Sequence, residues 1–251
     1  MGQKIVKILG HTLPIFLSFI RDTDNSILNR IRRLFREAII LFFALYFMLD
    51  YPLADYLKLF TLLLMAVYSL YEIGYIYNDF IRVEYDEKPT IRPYVGIINA
   101  RLATAIRITY IVLIGLLIKA LLPSYIVAIC ILSIAILNHN LIRRKVEKIA
   151  SWPYLRLSKY MFVPIAISNF NLEVVESCLL ITFPLIVMDA ENTIIAIIKK
   201  YEGIKISPLE KPYYVWFLTF LPIQLILLIA HSPLIFTGEL LFIIISVVRH
   251  K

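Results

Sequence analysis

Long apolar runs separated by short polar segments dominate this chain. Several of the runs are about 20 residues long, enough to cross a hydrocarbon core of ~30 Å as a helix. A further apolar stretch over residues 5–20 is interrupted by Lys7, His11 and Pro14, and forms either a ninth span or an amphipathic helix in the interface. The pattern predicts a cytoplasmic or interfacial segment over residues 1–36 and a transmembrane helical bundle over 37–251. The eight predicted spans are 37–50, 56–78, 102–121, 124–141, 157–171, 174–191, 213–231 and 233–248.

Composition supports an all-α polytopic membrane protein. Hydrophobic residues make up 60% of the 251, and the mean hydropathy is +0.79. A soluble domain of this length needs a more polar surface. Two cysteines, both inside apolar runs, give no disulfide framework or zinc spacing. Only seven glycines are present, and no glycine-rich phosphate loop can be found.

Basic residues predict the orientation of the bundle. When Arg107 and Lys159, which lie near the starts of their predicted spans, are counted with the preceding loops, all of the 26 lysines and arginines except Lys58 and Lys119 fall on one side. The positive-inside rule makes that side cytoplasmic and places both termini there, as in a multi-pass protein of the cell membrane. The net charge of +8 therefore requires no nucleic-acid partner. Clusters such as Arg143-Arg144-Lys145 are interpreted as contacts to anionic lipid headgroups, with phosphate binding as the alternative.

An acidic and basic cluster follows the second span directly. If that helix continues past Asn78, Asp79 and Asp86 lie seven residues apart on nearly the same face. Carboxylates of this kind suit Mg²⁺, which completes its ligand shell with water and substrate phosphates. The cations expected to bind the remaining phosphate oxygens are Arg82, Lys88 and Arg92. The alternative is ordinary turn chemistry in a short loop.

A second acidic site, Asp189 and Glu191, lies at the end of the sixth span and therefore faces the same membrane surface. It is predicted to bind metal, or else to be a pair of interfacial carboxylates beside a basic loop. Glu72, inside the second span, needs a partner or a wet cavity. His11 and His139 are interpreted as interfacial polar residues and not as metal ligands.

The segment NDFIRVEYDEKPTIRP, residues 78–93, resembles the first signature of the UbiA superfamily of intramembrane prenyltransferases. That signature is Asn-Asp-x-x-Asp-x-x-x-Asp followed by a basic segment that contains proline, and Asn78, Asp79 and Asp86 fall on its first, second and last positions. The resemblance implies that these three residues bind metal or diphosphate, Asn78 as a substrate-binding residue. The resemblance implies a helical bundle, usually of nine spans, whose two acidic motifs bind Mg²⁺ and a prenyl diphosphate at the cytoplasmic side. The chain departs from the family at Arg82, which replaces the middle Asp, and at Thr193, where a second Asp would follow Asp189.

The expected function is Mg²⁺-dependent transfer of a prenyl group from a polyprenyl diphosphate to an acceptor, with Asp79 and Asp86 as catalytic metal-binding residues. One branch of the family instead joins phosphoribosyl diphosphate to a polyprenyl phosphate, and VEYDEKPTIR loosely resembles its signature. A terpene-cyclising relative is a further possibility. A non-catalytic membrane scaffold on a degraded site is another alternative, whereas a transporter would need polar groups nearer the bilayer midplane. Membrane lipids are expected partners, and no obligate protein partner is evident.

Overall fold

The computed structural model describes residues 3–20, 38–39, 41–85, 91–92, 94–142, 145–183 and 186. This part of the chain is all-helical and contains no strand, only an isolated bridge between Val95 and Ile98. Two 3₁₀ turns, Arg82–Tyr85 and Lys119–Leu121, follow α4 and α5. The α-helices are α1 Gln3–Thr12, α2 Phe16–Ile20, α3 at 41–48, α4 Leu53–Phe80, α5 Ala100–Leu117, α6 Leu122–Leu141, α7 Lys145–Ile167 and α8 at 172–183.

The predicted spans agree best with the structure over α4, α5 and α6. Within the described ranges, three segments are long and apolar enough to cross a membrane: Leu53–Phe80, Ala100–Leu117 and Lys119–Leu141. Helix α7 differs from the prediction, because it begins at Lys145 and not near residue 157. Its first half contains charged residues, which interrupt the apolar run from which the span was predicted. The predicted spans 213–231 and 233–248 lie outside the described residues, as does the end of 174–191.

Local sequence signals account for several helix starts. Asn99 caps α5, since its side-chain oxygen accepts the N–H of Leu102 at 3.0 Å. Asn171 caps α8 in the same way, accepting the N–H of Glu173 at 3.1 Å. Pro123 lies in the first turn of α6, where its missing N–H costs no hydrogen bond.

The main core lies between α4, α6 and α7, with α3 and α8 packed against it. Tyr56, Leu63, Leu132 and Phe162 are among its fully buried side chains. Hydroxyl groups form hydrogen bonds between helices, and these bonds define a helix arrangement that apolar packing alone would not define. Ser124 Oγ donates to the carbonyl of Ala166 at 2.9 Å, Tyr125 Oη to Ile111 at 2.8 Å and Tyr56 Oη to Phe42 at 2.7 Å.

The outward faces of α5 and α6 are apolar. Large exposed side chains there are Leu113, Leu116, Leu117, Leu137 and Leu141. An apolar surface of this extent is unfavourable in water and suits contact with lipid. The membrane character predicted from composition is therefore matched by the distribution of side chains on these helices.

Residues 3–20 do not form a single span. They form α1 and α2, which are joined at Leu13-Pro14-Ile15, and we call this unit the N-terminal hairpin. Helix α1 has ten residues and a length of about 15 Å, which is half of a hydrocarbon core. Ile15 has φ 85°, a strained conformation for a β-branched residue that neighbouring contacts must maintain.

Helices α4 and α6 approach each other closely at Gly74. A Cβ atom at this position would lie 2.6 Å from Cγ2 of Ile136 and 3.3 Å from Nδ2 of Asn140. The amide of Asn140 donates to the Gly74 carbonyl at 3.3 Å, so the same contact carries an interhelical hydrogen bond. The absence of a side chain at residue 74 therefore sets the separation of the two helices.

We expect Gly74→Ala to lower the free energy of unfolding by about 1–3 kcal/mol through overpacking, more than the gain in helix propensity of up to about 1 kcal/mol. Thermal unfolding in detergent measures the effect. Gly74→Ala combined with Ile136→Leu is the matched control, because leucine lacks the β-branch that carries Cγ2. A double variant no more stable than Gly74→Ala would show that the contact at Ile136 does not limit the helix separation.

Candidate functional site

Asp79 lies in the last turn of α4, and its side chain is only 3% exposed. Both carboxylate oxygens accept hydrogen bonds. Asn78 Nδ2 donates to Oδ1 at 3.0 Å, and the hydroxyl of Tyr94 donates to Oδ2. These two donors, one for each oxygen, fix the orientation of the carboxylate at the end of an apolar helix.

Tyr94 was not predicted from the sequence as a site residue. Its side chain is buried in a small apolar cluster with Leu17, Ile76, Ile98 and Ala103, separate from the main core. The chain turns tightly around it, since its carbonyl accepts the N–H groups of Ile97 at 3.0 Å and Ile98 at 3.1 Å. Gly96, with φ 97°, supplies a backbone conformation that this turn requires. An aromatic residue after Arg92-Pro93 was visible in the sequence, but nothing local indicated its contact with Asp79.

Arg82 is buried in the 3₁₀ turn that follows α4. Its Nη2 donates to the carbonyl of Ile142 at 2.7 Å. Ile142 is the residue that ends α6, where carbonyl groups lack helical partners and carry the negative end of the helix dipole. Arg82 therefore joins the ends of α4 and α6, in addition to any role toward a substrate.

The premise that α4 continues past Asn78 as far as Asp86 is wrong. The α-helix ends at Phe80, and residues 82–85 form a tighter 3₁₀ turn. The seven-residue spacing from Asp79 to Asp86 therefore does not describe one α-helical face. Arg92 is half-buried, and its carbonyl accepts the N–H of Val95 at 3.0 Å. The other predicted site residues, Asp86, Lys88, Asp189 and Glu191, lie outside the described residues.

Glu72 lies inside an apolar helix and therefore needs a partner, which is Arg107. Arg107 of α5 donates to Glu72 Oε2 from Nη2 at 2.9 Å and from Nε at 3.1 Å. Both side chains are 0% exposed. Arg107 was counted from the sequence among the basic residues of a cytoplasmic loop, and the structure places it inside the bundle.

The same ion pair binds the backbone of the N-terminal hairpin. Glu72 Oε1 accepts the N–H of Ser18 at 2.8 Å. Arg107 donates from Nη2 to the carbonyl of Leu13 at 3.1 Å and from Nη1 to that of His11. Irregular backbone at membrane depth is tolerated only where protein groups satisfy it. The pair thus satisfies polar groups at the break between α1 and α2.

The break between α1 and α2 lies further inside the bundle than Asp79, which is at the end of α4. Glu72 precedes Asp79 by seven residues of α4, and Arg107 follows the first residue of α5 by seven, each about 10 Å along the helix. Val6 and Ile20, toward the two outer ends of the hairpin, pack instead against the Tyr94 cluster. The hairpin therefore enters from the Asp79 end of the bundle and returns toward it.

Aromatic side chains line the face of α4 that leads to Asp79. Tyr68, Tyr71 and Tyr75 recur at helical spacing, and the rings of Tyr71 and Tyr75 meet edge to face with centroids 5.0 Å apart. The ammonium of Lys159, on α7, lies 5.1 Å from the ring centroids of both Tyr68 and Tyr71. The sequence-based count placed Lys159 with a basic loop, whereas its side chain is 9% exposed and stabilised by cation–π contacts.

Both histidines interpreted as interfacial are buried. His11 Nδ1 lies at hydrogen-bond distance from the carbonyl of Lys7, and its Nε2 accepts the N–H of Asn99 at 2.9 Å. His139 Nδ1 lies 2.9 Å from Ser151 Oγ, and its ring packs on Trp152. Their roles in the described structure are contacts between segments.

The donor chemistry at Asp79 fits Mg²⁺, because a carboxylate is a hard oxygen ligand and Mg²⁺ commonly uses one or two of them with water and phosphate. Among the residues that the structure describes, no three His, Cys, Asp or Glu side chains form a group able to hold a metal. No protein-family model, no curated protein and no solved structure matches this chain.

We expect Glu72→Gln to lower the free energy of unfolding by about 3–5 kcal/mol, because it leaves the Arg107 charge buried without its counter-charge. Thermal unfolding in detergent measures the loss. Glu176→Gln, on the exposed face of α8, is the matched control and should change stability by no more than about 0.5 kcal/mol. Equal effects of the two substitutions would contradict a stabilising role for the pair.

Proposed function

We propose that this chain is a Mg²⁺-dependent intramembrane transferase that acts on a diphosphate donor and transfers a prenyl group to an acceptor. The observation that carries the proposal is Asp79, a buried carboxylate at the end of an apolar helix, oriented by Tyr94 and Asn78. A buried acid at a membrane surface is costly unless it is used or partnered. Asp79 also follows Tyr68, Tyr71 and Tyr75 on one face of α4, which places an aromatic surface beside the carboxylate.

Asp79 is proposed to hold the metal, together with Asp86 and with Asp189 and Glu191 of the second acidic motif. A Mg²⁺ ion held by these carboxylates would offset charge on the diphosphate and make it a better leaving group. Arg92 and Lys88 would bind phosphate oxygens of the donor. Arg82 contributes positive charge at the position where the UbiA signature has its middle Asp.

The aromatic face of α4 is proposed to line the path of the apolar chain. From Tyr68 to Asp79 this face extends about 16 Å, roughly half of a hydrocarbon core. The bond between the donor carbon and its diphosphate oxygen breaks, and the electron pair leaves with the diphosphate. The acceptor supplies the pair for the new bond and then loses a proton. The electron-rich face of Tyr75 suits positive charge that develops along this path, whereas the rings of Tyr68 and Tyr71 contact the Lys159 ammonium.

We place the protein in the cell membrane as a multi-pass helical bundle of eight spans with a UbiA-like arrangement, because residues 3–20 form two short helices and not a ninth span. The charge distribution supports cytoplasmic termini and a cytoplasmic Asp79 end. The lipid-facing surfaces of α5 and α6 support the membrane assignment. The proposed substrates are a prenyl diphosphate or a polyprenyl phosphate that enters from the bilayer.

Purified full-length protein in detergent should release diphosphate from a prenyl diphosphate only when Mg²⁺ is present. We expect Asp79→Asn to reduce this release by about 10²–10³-fold, because the metal loses an anionic ligand. Asp55→Asn is the matched control, since Asp55 is exposed in the first turn of the same helix, at its opposite end. The donor panel includes farnesyl, geranylgeranyl and longer prenyl diphosphates, and phosphoribosyl diphosphate with a polyprenyl phosphate. Release in the last reaction alone would assign phosphoribosyl transfer instead.

A second candidate function is a non-catalytic membrane scaffold on a degraded site. The observation that favours it is Arg82, a cation at an acidic signature position that joins the ends of α4 and α6. No diphosphate release from any donor, by wild-type protein that unfolds cooperatively, would favour the scaffold over the transferase.

A further inference from the structure

We propose that Tyr94 is a positioning residue for Asp79, and that the N-terminal hairpin holds Tyr94 in place. The inference deepens the proposed function, because it assigns Tyr94 the task of setting the orientation of a metal-binding carboxylate. Tyr94 reaches Asp79 through its hydroxyl group, fifteen positions later in the sequence. It does not itself contact the metal or the substrate in this assignment.

The ring of Tyr94 has little freedom to move. It is 1% exposed and lies in a buried cluster that includes Leu17 of the hairpin and Ile76 of α4. Ile76 lies three residues before Asp79 on the same helix, so the ring and the carboxylate share one rigid element as their support. A donor that is fixed in this way keeps the carboxylate in one orientation before any ligand arrives.

The hairpin supports the turn that carries Tyr94. His11 Nε2 accepts the backbone N–H of Asn99 at 2.9 Å. At Gly10 the hairpin lies so close to this turn that an added Cβ would be 2.4 Å from Ile98 Cδ1. Displacement of the hairpin would therefore displace the turn at 94–99.

The hairpin is anchored in turn to the helix that carries Asp79. The Glu72 side chain of α4 binds the hairpin at Ser18, and Arg107 binds it at His11 and Leu13. The contacts form a closed chain: Glu72 of α4 binds the hairpin, the hairpin contacts the turn that carries Tyr94, and Tyr94 binds Asp79 of the same helix. Such an arrangement defines the position of the Tyr94 hydroxyl relative to Asp79.

Partners that orient a metal ligand typically contribute 10- to 100-fold to metal affinity. We expect Tyr94→Phe, which keeps the ring and removes only the hydroxyl, to weaken Mn²⁺ binding by that factor. Mn²⁺ serves as a spectroscopic substitute for Mg²⁺, and electron paramagnetic resonance of the free ion measures binding to the full-length protein. Tyr77→Phe is the matched control, because Tyr77 is exposed and lies two residues before Asp79 in α4.

Three outcomes distinguish the positioning role of Tyr94 from the proposed metal site at Asp79. Mn²⁺ binding that is weakened in both Asp79→Asn and Tyr94→Phe but not in Tyr77→Phe supports the proposal. Binding that Asp79→Asn abolishes and Tyr94→Phe leaves unchanged overturns the role of Tyr94 while the proposed metal site stands. If wild-type protein binds no Mn²⁺ and releases no diphosphate, the proposed function fails and the positioning role fails with it.

The contribution of the hairpin has its own test. Gly10→Ala places a methyl group against Ile98 and should weaken Mn²⁺ binding severalfold, whereas Gly10→Ala with Ile98→Val, which removes the clashing Cδ1 atom, should restore it. Unfolding temperatures measured in parallel identify any loss of fold. Unchanged Mn²⁺ affinity in Gly10→Ala would overturn the role of the hairpin and leave that of Tyr94 to the first test.

Discussion

The ion pair between Glu72 and Arg107 is the constraint on which the arrangement of α4, α5 and the N-terminal hairpin depends. Two charges that are 0% exposed carry a large desolvation cost, which direct contact and further hydrogen bonds must offset. Here the further bonds go to backbone groups of another segment, at His11, Leu13 and Ser18. The pair therefore fixes α4 against α5 and, by the same contacts, fixes where the N-terminal hairpin lies.

Much of the helical pattern could be predicted because it depends on local composition. Helix α4 coincides closely with its predicted span, and the requirement that Glu72 find a partner followed from its place inside an apolar run. The first half of α7 was not predicted, because its charged residues Lys145, Glu147 and Lys148 interrupt the apolar pattern. Lys159, which the sequence placed with the basic loop, instead contacts two tyrosine rings on α4. Whether a cation faces water or an aromatic surface depends on the packing of another helix, which periodicity does not contain.

The candidate site could also be predicted only in part from the sequence. Asp79 was predicted as a metal-binding residue from its place after a long apolar helix. The structure places it as a buried carboxylate at the helix end, and its role toward a metal stays a prediction. Tyr94 could not be predicted, because its contact with Asp79 requires a turn at 94–99 that is stabilised by the distant residues Gly10, His11 and Leu17. The break at Ile15 is likewise explained by Arg107 and Glu72, not by its neighbours in sequence. Predicted metal and phosphate ligands at Asp86, Lys88, Asp189 and Glu191 stay predictions.

The contacts of the hairpin also impose an order on assembly. Its backbone partners lie 54 residues later at Glu72 and as many as 96 residues later at Arg107. During synthesis α1 and α2 emerge before α4 and α5, and they have no binding site until those two helices have emerged and paired. Bringing together groups so distant in sequence costs loop-closure entropy before any bond is formed. Helices α1 and α2 are thus made before the groups that bind them, and their contacts with Glu72 and Arg107 can form only after α4 and α5 are present.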